Sequence, residues 1–320
     1  MQARSHGETG LDVVFTTNSD GTMGNMPCKF WLVSCLTFVS LVAGCSRRPE
    51  TPTGPSPSPD TINYIAIGAS DAVGVGSSVI CLDPVNCPNG TSYVWVLQRA
   101  LRNTGKTVNV SNLGVPGVVM SPAIQALTRQ IGRTDVIANM IENQVIFVTA
   151  STTHITIFAG GNDANAIAQA IRANVPGSDT PNDRRAFIDR QVAQWGTDLE
   201  DLIRRIRARS ANARIVAYNL PNLAALGYVA GLSTTEKSIL QRIAVGVTDR
   251  INALAGQNVL IVDLMCEPRI YSSANVSSDG FHPSDAGYQL MADLAFNPMA
   301  NGTASAPNPG CAQRTIFPAF

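Results

Sequence analysis

Charge is scarce in this sequence. Only 14% of its 320 residues are charged, 23 basic and 23 acidic side chains cancel, and no Lys/Arg run exceeds two residues. The electrostatic footprint that nucleic-acid binders use against phosphates is missing, so no nucleic-acid partner is expected. Long apolar runs are missing as well: the longest, Phe30 to Ala43, falls well short of the roughly 20 residues that a helix needs to cross the hydrocarbon core. Histidine is rare. His6, His154 and His282 stand far apart, and none of the cysteines has a neighbouring histidine or a C-x-x-C spacing, so neither a catalytic metal nor a redox dithiol is indicated. Gly74-x-Gly76 lacks the third glycine of a dinucleotide fingerprint, and there is no Walker lysine, which sets nucleotides aside. No cofactor is expected. What remains is a chain that is 45% hydrophobic, with a length that suits one enzyme-sized domain plus appendages.

The appendages come first. Phe30 to Ala43 has the length of a signal-peptide h-region, with Lys29 ahead of it and the small residues Ala43 and Gly44 behind. Leu41-Val42-Ala43-Gly44-Cys45 resembles the lipobox of bacterial lipoproteins. That resemblance implies cleavage before Cys45, acylation of its thiol and of the new N-terminus, and stable anchoring by several acyl chains. Residues 26–44 therefore read as a signal peptide, and residues 45–60 as a lipidated cysteine and a Pro/Ser-rich linker. Ser46 is not the Asp that resembles an inner-membrane retention signal, so an exported lipoprotein of the outer membrane or cell surface is expected. Residues 1–25 carry Glu8, Asp12 and Asp20, unlike a signal peptide, and read as a disordered lead or as sequence before a true start at Met23 or Met26. The competing reading is a cytoplasmic N-terminus followed by a buried helix.

Of the seven cysteines, Cys28 and Cys35 leave with the signal and Cys45 takes lipid, which leaves Cys81, Cys87, Cys266 and Cys311. Four cysteines in an oxidising compartment allow three connectivities. We favour Cys81 with Cys87, closing a small loop around Pro84, and Cys266 with Cys311, pinning the C-terminal tail; four free buried thiols are the alternative.

From residue 61 to 320 the pattern is that of a folded domain. Ile62 to Ile67, Thr107 to Ser111, Ile155 to Ala159, Arg214 to Tyr218 and Val259 to Val262 read as five strands. Helical patterns lie between them at Ser92 to Asn103, Arg184 to Arg209 and about Thr234 to Ala255, with a last helix after Pro283 capped by Ser284. Strands alternating with helices predict a parallel sheet covered on both faces, a three-layer α/β/α domain of flavodoxin-like type.

Ligands of such sheets bind beyond the carboxyl ends of the strands. Three of these ends mix glycine with small polar groups: Gly68-Ala69-Ser70-Asp71, Asn112-Leu113-Gly114-Val115-Pro116-Gly117, and Gly160-Gly161-Asn162-Asp163. Near the C-terminus, Asp279-Gly280-Phe281-His282 supplies a carboxylate three residues before an imidazole. A serine hydroxyl is a weak nucleophile until a base takes its proton, and a carboxylate fixes the tautomer of that base. Ser70, His282 and Asp279 fit these parts. His6 lies in the discarded segment and His154 at the opposite strand end, where it reads as structural, so His282 is the histidine left to act as base.

These four blocks, in this order, resemble the SGNH hydrolases, the superfamily of GDSL esterases and lipases. The resemblance implies Ser70 as nucleophile, Asp279 and His282 as its partners, and an oxyanion hole made by the Ser70 and Gly117 N–H groups with the Asn162 amide. The spacing Asn-x-x-x-x-Gly selects Gly117, with Gly114 as the alternative donor. The first block departs from the usual Gly-Asp-Ser: Ala69 precedes the serine, and the carboxylate, Asp71, follows it. The implied activity is hydrolysis of carboxylic esters through an acyl-enzyme by a lipid-anchored monomer, the substrate being a lipid, a short-acyl ester or an O-acetylated glycan. Two rivals stand beside it: a non-catalytic envelope or glycan binding module on the same fold, and an acyltransferase. The loop from Ser77 to Thr91 is expected at the mouth of the site.

Overall fold

The computed structural model describes residues 60–315 and Phe317. The leading segment, the signal peptide, Cys45 and the linker as far as residue 59 lie outside the described residues.

Five strands form one sheet: β1 (Thr61–Gly68), β2 (Thr107–Asn112), β3 (His154–Phe158), β4 (Arg214–Tyr218) and β5 (Leu260–Val262). All pairings are parallel and the spatial order is β2-β1-β3-β4-β5. The two-residue period of a strand sends its side chains to alternate faces. Ile62, Tyr64 and Ala66 of β1 join one buried cluster, with Val108, Val110, Val216, Tyr218 and Val262. Ile65 and Ile67 join the other, with Ile155, Ile157, Ile215, Ala217 and Ile261. A sheet buried on both faces needs a helical layer on each.

The first layer is α2 (Tyr93–Arg102) and α8 (Asp285–Asn301), which bring Trp95, Leu97, Leu101, Tyr288 and Met291 to the sheet. The second contains α3 (Pro122–Gln130), α5 (Gly161–Arg172), α6 (Pro181–Arg209) and α7 (Thr234–Ala253). Two short helices, α1 (Ser70–Val73) and α4 (Met140–Asn143), lie in the loops that leave β2's neighbour β1 and lead to β3. The three-layer α/β/α expectation is therefore what the chain forms.

Helix α6 shows how the sequence sets its ends. Ile188, Val192, Trp195, Leu199, Leu202 and Ile206 are all buried, the single apolar stripe expected from their three- and four-residue spacing. Its start lies at Pro181, ahead of Arg184, because Thr180 and Asp183 exchange hydrogen bonds as a capping box and Pro181 occupies the first turn, where no N–H is needed. A second capping box, Ser233 with Glu236, opens α7, and Ser284 caps α8 by accepting from the Gly287 N–H. Helix α7 ends at Ala253 and tightens into a 3₁₀ turn over Leu254–Gln257. Both favoured disulfides are formed, Cys81 with Cys87 and Cys266 with Cys311, at Cα separations of 6.2 and 5.6 Å.

Candidate active site

The strand order reverses between β1 and β3, and this is where a parallel sheet opens a crevice at its carboxyl end. Ser70 follows β1 directly as the first residue of α1, and Asn162 follows β3 in the first turn of α5. The third contributor comes from the irregular segment before α8, which carries Asp279 and His282.

These residues meet. The Ser70 hydroxyl oxygen lies 2.9 Å from His282 Nε2, and His282 Nδ1 lies 2.6 Å from Asp279 Oδ2. The other oxygen of Asp279 accepts from the Ser277 hydroxyl at 2.8 Å and from the Phe281 and His282 N–H groups at 2.8 and 2.9 Å. Partial burial works against the Asp279 charge, but the His282 ring, these two backbone donors and the Ser277 hydroxyl outweigh it and hold the carboxyl well below its ordinary range. Asp279 is thus a carboxylate at any pH near neutrality, and a carboxylate at Nδ1 leaves Nε2 of a neutral imidazole free to accept the serine proton.

The segment that bears the pair is pinned at both ends. Ser277 donates its N–H to the His282 carbonyl, Ser284 to the Asn275 carbonyl, and Tyr228 to the Gly280 carbonyl. Tyr288 donates its hydroxyl to the Val75 carbonyl at 2.7 Å, and Asp285 accepts from the Ser78 N–H at 2.7 Å, which ties the start of α8 to the turn after Ser70. Phe281 packs edge-on between Tyr228 and His282, each ring centre 4.8 Å away.

The second and third blocks are knitted together. Asn112 donates to the Ala72 carbonyl at 2.7 Å and accepts from the Gly114 N–H at 3.1 Å. Gly114 also has no room for a side chain, since a Cβ there would lie 2.7 Å from that of Ala72. Its N–H is spent inside the turn. Gly117, by contrast, sits at φ +78° with open space beside it, and among the described residues its N–H makes no hydrogen bond, nor does that of Ser70. Asn162 gives one amide hydrogen to the Val118 carbonyl at 2.9 Å, which fixes the side chain and leaves the second hydrogen. It does not cap α5, whose N-cap is Gly160. Asp163 is fully buried and accepts from the Met120 N–H at 2.8 Å; burial pushes its carboxyl up to about 6 against the pull of that bond.

Sequence reasoning missed Gln144. Its buried amide accepts from the Gly68 N–H at 3.1 Å and donates to the Gly68 and Leu113 carbonyls at 2.8 and 2.6 Å, clamping the end of β1 to the second block. No local pattern marks it, because its partners are far away in the chain. His154 is where the sequence placed it, at the first position of β3, half-buried with Nδ1 beside the Thr153 hydroxyl. Burial, helped by Arg214, lowers its pKa to about 4.

Below residues 275–283 lies a narrow, partly open apolar crevice, bounded by those residues and by the strand ends. The disulfide loop lies against the first two blocks: the Cys81 N–H donates to the Val73 carbonyl and the Asn112 N–H to the Pro84 carbonyl. Ile80, Leu82 and Val85 on this loop are exposed.

Residues 66–290 match the GDSL-like lipase/acylhydrolase family. No curated protein matches the chain. Among solved structures, the lipase Lip_vut3 from a goat rumen metagenome is 16% identical over 73% of this chain and 95% of its own, with a TM-score of 0.49. Phospholipase A1 from Streptomyces albidoflavus NA297 is 18% identical over 72% and 97%, with a TM-score of 0.48. A family 3 carbohydrate esterase from Clostridium thermocellum is 17% identical over 74% and 94%, with a TM-score of 0.42. With the family match running from β1 into α8, the chain belongs to the GDSL-like lipase/acylhydrolase family and is an SGNH-type ester hydrolase.

Proposed function

We propose that this hydrolase is a serine esterase that cleaves carboxylic esters through an acyl-enzyme on Ser70. The observation that carries the reading is the unbroken chain from Ser70 Oγ through the His282 ring to Asp279. Ser70 Oγ bonds to the ester carbonyl carbon while its proton passes to His282 Nε2, and the carbonyl oxygen becomes an oxyanion. The N–H groups of Ser70 and Gly117 and the free amide hydrogen of Asn162 donate to that oxygen, where preorganised donors have most effect on the barrier. The bond to the alcohol oxygen then breaks, the alcohol leaving with the proton from His282. Water completes the cycle by the same steps, giving its proton to His282 and releasing the acid. Asp279 keeps the imidazole oriented and steadies its charge.

The substrate is a lipid, short-acyl ester or O-acetylated glycan, and the enzyme works at the outer membrane or cell surface, tethered through Cys45. The tether rests on the Leu41 to Cys45 sequence alone. The test is hydrolysis of p-nitrophenyl acetate, butyrate and octanoate by the full-length protein beside Ser70→Ala. A loss of roughly 10⁴-fold or more in kcat is expected for the variant, together with loss of labelling by a fluorophosphonate. Equal turnover or equal labelling of the two proteins refutes the assignment.

A further inference from the structure

The residue after the serine has no part in the mechanism above, and its surroundings are unusual. Among the described residues Asp71 is the only ionisable side chain lining the crevice; its other walls include Phe158, Leu264, Ile270, Phe281 and Met291. Ala69 and Asp71 both line it, one on each side of Ser70 in the chain. Asn162 and Phe281, the residue before His282, line it as well, which sets this space beside the reacting groups.

A carboxyl in an apolar wall needs a partner. Asp71 is only half-buried and keeps contact with water while the crevice is open, but a ligand that fills the space takes that water away, and nearly all carboxyls so enclosed in folded proteins are satisfied. Among the described residues no other residue donates a hydrogen bond to the Asp71 carboxyl. Four titratable groups surround it. Tyr93 and Tyr288 approach from α2 and α8, and His282 and Asp279 from the catalytic segment. The His282 ring is held by Asp279 on one nitrogen and by Ser70 on the other, Tyr288 gives its hydroxyl to Val75, and the buried Tyr93 hydroxyl makes no hydrogen bond to Asp71. Burial raises the Asp71 pKa, a direction that the nearby His282 opposes.

We infer that Asp71 is a specificity-determining residue that accepts a hydrogen bond from a hydroxyl on the acyl chain, so that the preferred substrates are esters of hydroxy acids. The inference rests on the esterase reading above. A hydroxyl suits the site better than an ammonium. Burying a cation in a wall of Phe, Leu, Ile and Met adds a second desolvation cost, which a single carboxylate offsets only with ideal geometry. A neutral hydroxyl avoids that cost and can bond to the carboxyl in either protonation state. A plain alkyl chain leaves the carboxyl unpaired when it expels water from the crevice, and a site that loses a hydrogen bond in this way discriminates strongly.

The experiment compares three p-nitrophenyl esters of one chain length, butyrate, 3-hydroxybutyrate and 3-aminobutyrate, with the full-length wild type, Asp71→Leu, Asp71→Asn and Ser70→Ala. For the wild type, kcat/KM for the 3-hydroxybutyrate is expected to exceed that for the butyrate about tenfold, the ratio that one hydrogen bond of about 1.4 kcal/mol gives. Asp71→Leu should bring the ratio to one or below by slowing the hydroxy ester and speeding the plain one. Asp71→Asn keeps the size and an acceptor oxygen, and should retain a ratio above that of the leucine variant, which keeps the test valid if leucine disturbs the fold. A wild-type ratio near one, or a ratio that both variants leave unchanged, overturns the inference while the esterase reading stands. A preference for the 3-aminobutyrate that vanishes in Asp71→Leu overturns the hydroxyl assignment. If wild type and Ser70→Ala are equally inert on all three esters, the esterase reading itself fails and takes this inference with it.

Discussion

Ser70 and His282 face each other across 2.9 Å, yet the two sides of the site are held by different means. The side that carries Ser70, Gly117 and Asn162 is an extension of the sheet. Its turns leave β1, β2 and β3, and Gln144, Asn112 and Asp163, all buried, bond them to one another. The side that carries Asp279 and His282 belongs to no strand. Its order comes from hydrogen bonds within residues 275–284, from the Tyr228 N–H on Gly280, and from two ties between the start of α8 and the turn after Ser70, and the Asp279 side chain remains 43% exposed. The donors proposed for a developing charge are therefore fixed by the core, whereas the proposed proton carrier is fixed by a turn. A misplaced oxyanion donor requires the sheet to move; a misplaced base requires only the turn to loosen.

This contrast can be broken most forcefully at Asp279. Asp279→Asn keeps the shape of the turn but removes the charge that selects the imidazole tautomer, so kcat on p-nitrophenyl butyrate should fall by about 10² to 10⁴, with little change in the melting temperature. A large drop in melting temperature would show that the turn supports the fold as well as the base. The converse change is Gln144→Leu, on the core side. It leaves the Gly68 N–H and the Leu113 carbonyl without a partner and the Gly68 carbonyl with only the Val115 N–H, and should cost about 3 kcal/mol in urea unfolding. A stability loss below about 1 kcal/mol would mean that the core does not depend on this clamp.

The smallest of these effects is in pH, and it has opposite sign on the two sides. The Asp163 carboxyl is raised to about 6 in the fold, so the folded chain holds a proton that the unfolded chain releases near pH 4. Its stabilisation is complete below pH 4 and is lost as pH rises through 6, by about 2 to 3 kcal/mol in all. Asp279 is lowered, so its contribution is present above pH 4 and is lost only on acidification below that. His154, lowered to about 4, gains stability with pH over the same range, so the sign is read from the difference: between pH 4 and 6 the wild type should lose unfolding free energy relative to Asp163→Asn. Parallel curves for the two proteins would remove Asp163 as the source.

The two sides were not equally legible in the sequence. Ser70, Asp279 and His282 can be read because the chemistry demands particular side chains at a strand end and at a fixed three-residue spacing, whereas Asn162 is read through the resemblance of its block to the SGNH hydrolases. The five strands are legible for a related reason, since a sheet buried on both faces leaves short β-branched runs between polar turns. Strand limits shift by a residue or so, as in β3, which begins at His154 and stops at Phe158, because pairing with β1 and β4 sets where the ladder starts. Gln144 was illegible: it lies 76 residues from Gly68, and its role exists only once β1 and α4 are in place. The choice between Gly114 and Gly117 also waited on the fold, since only the packing of Ala72 and the side chain of Asn112 reveal that the Gly114 N–H is already used.

The outer limits of the sheet have a consequence of their own. Among the described residues nothing pairs beyond β2 on one side or β5 on the other, and β5 contributes only three residues, Leu260–Val262. An open strand edge is a template on which another chain can add a strand, and brevity is one of the ways natural proteins blunt it. The disulfide from Cys266 and the bond from the Asn308 N–H to Asp263 also hold the C-terminal tail beside the exit of β5. The edge that β5 leaves for a second molecule is short and partly guarded, so crowded copies of this enzyme have little on which to grow a shared sheet there, and strand addition has to begin at the six-residue β2 edge or somewhere else.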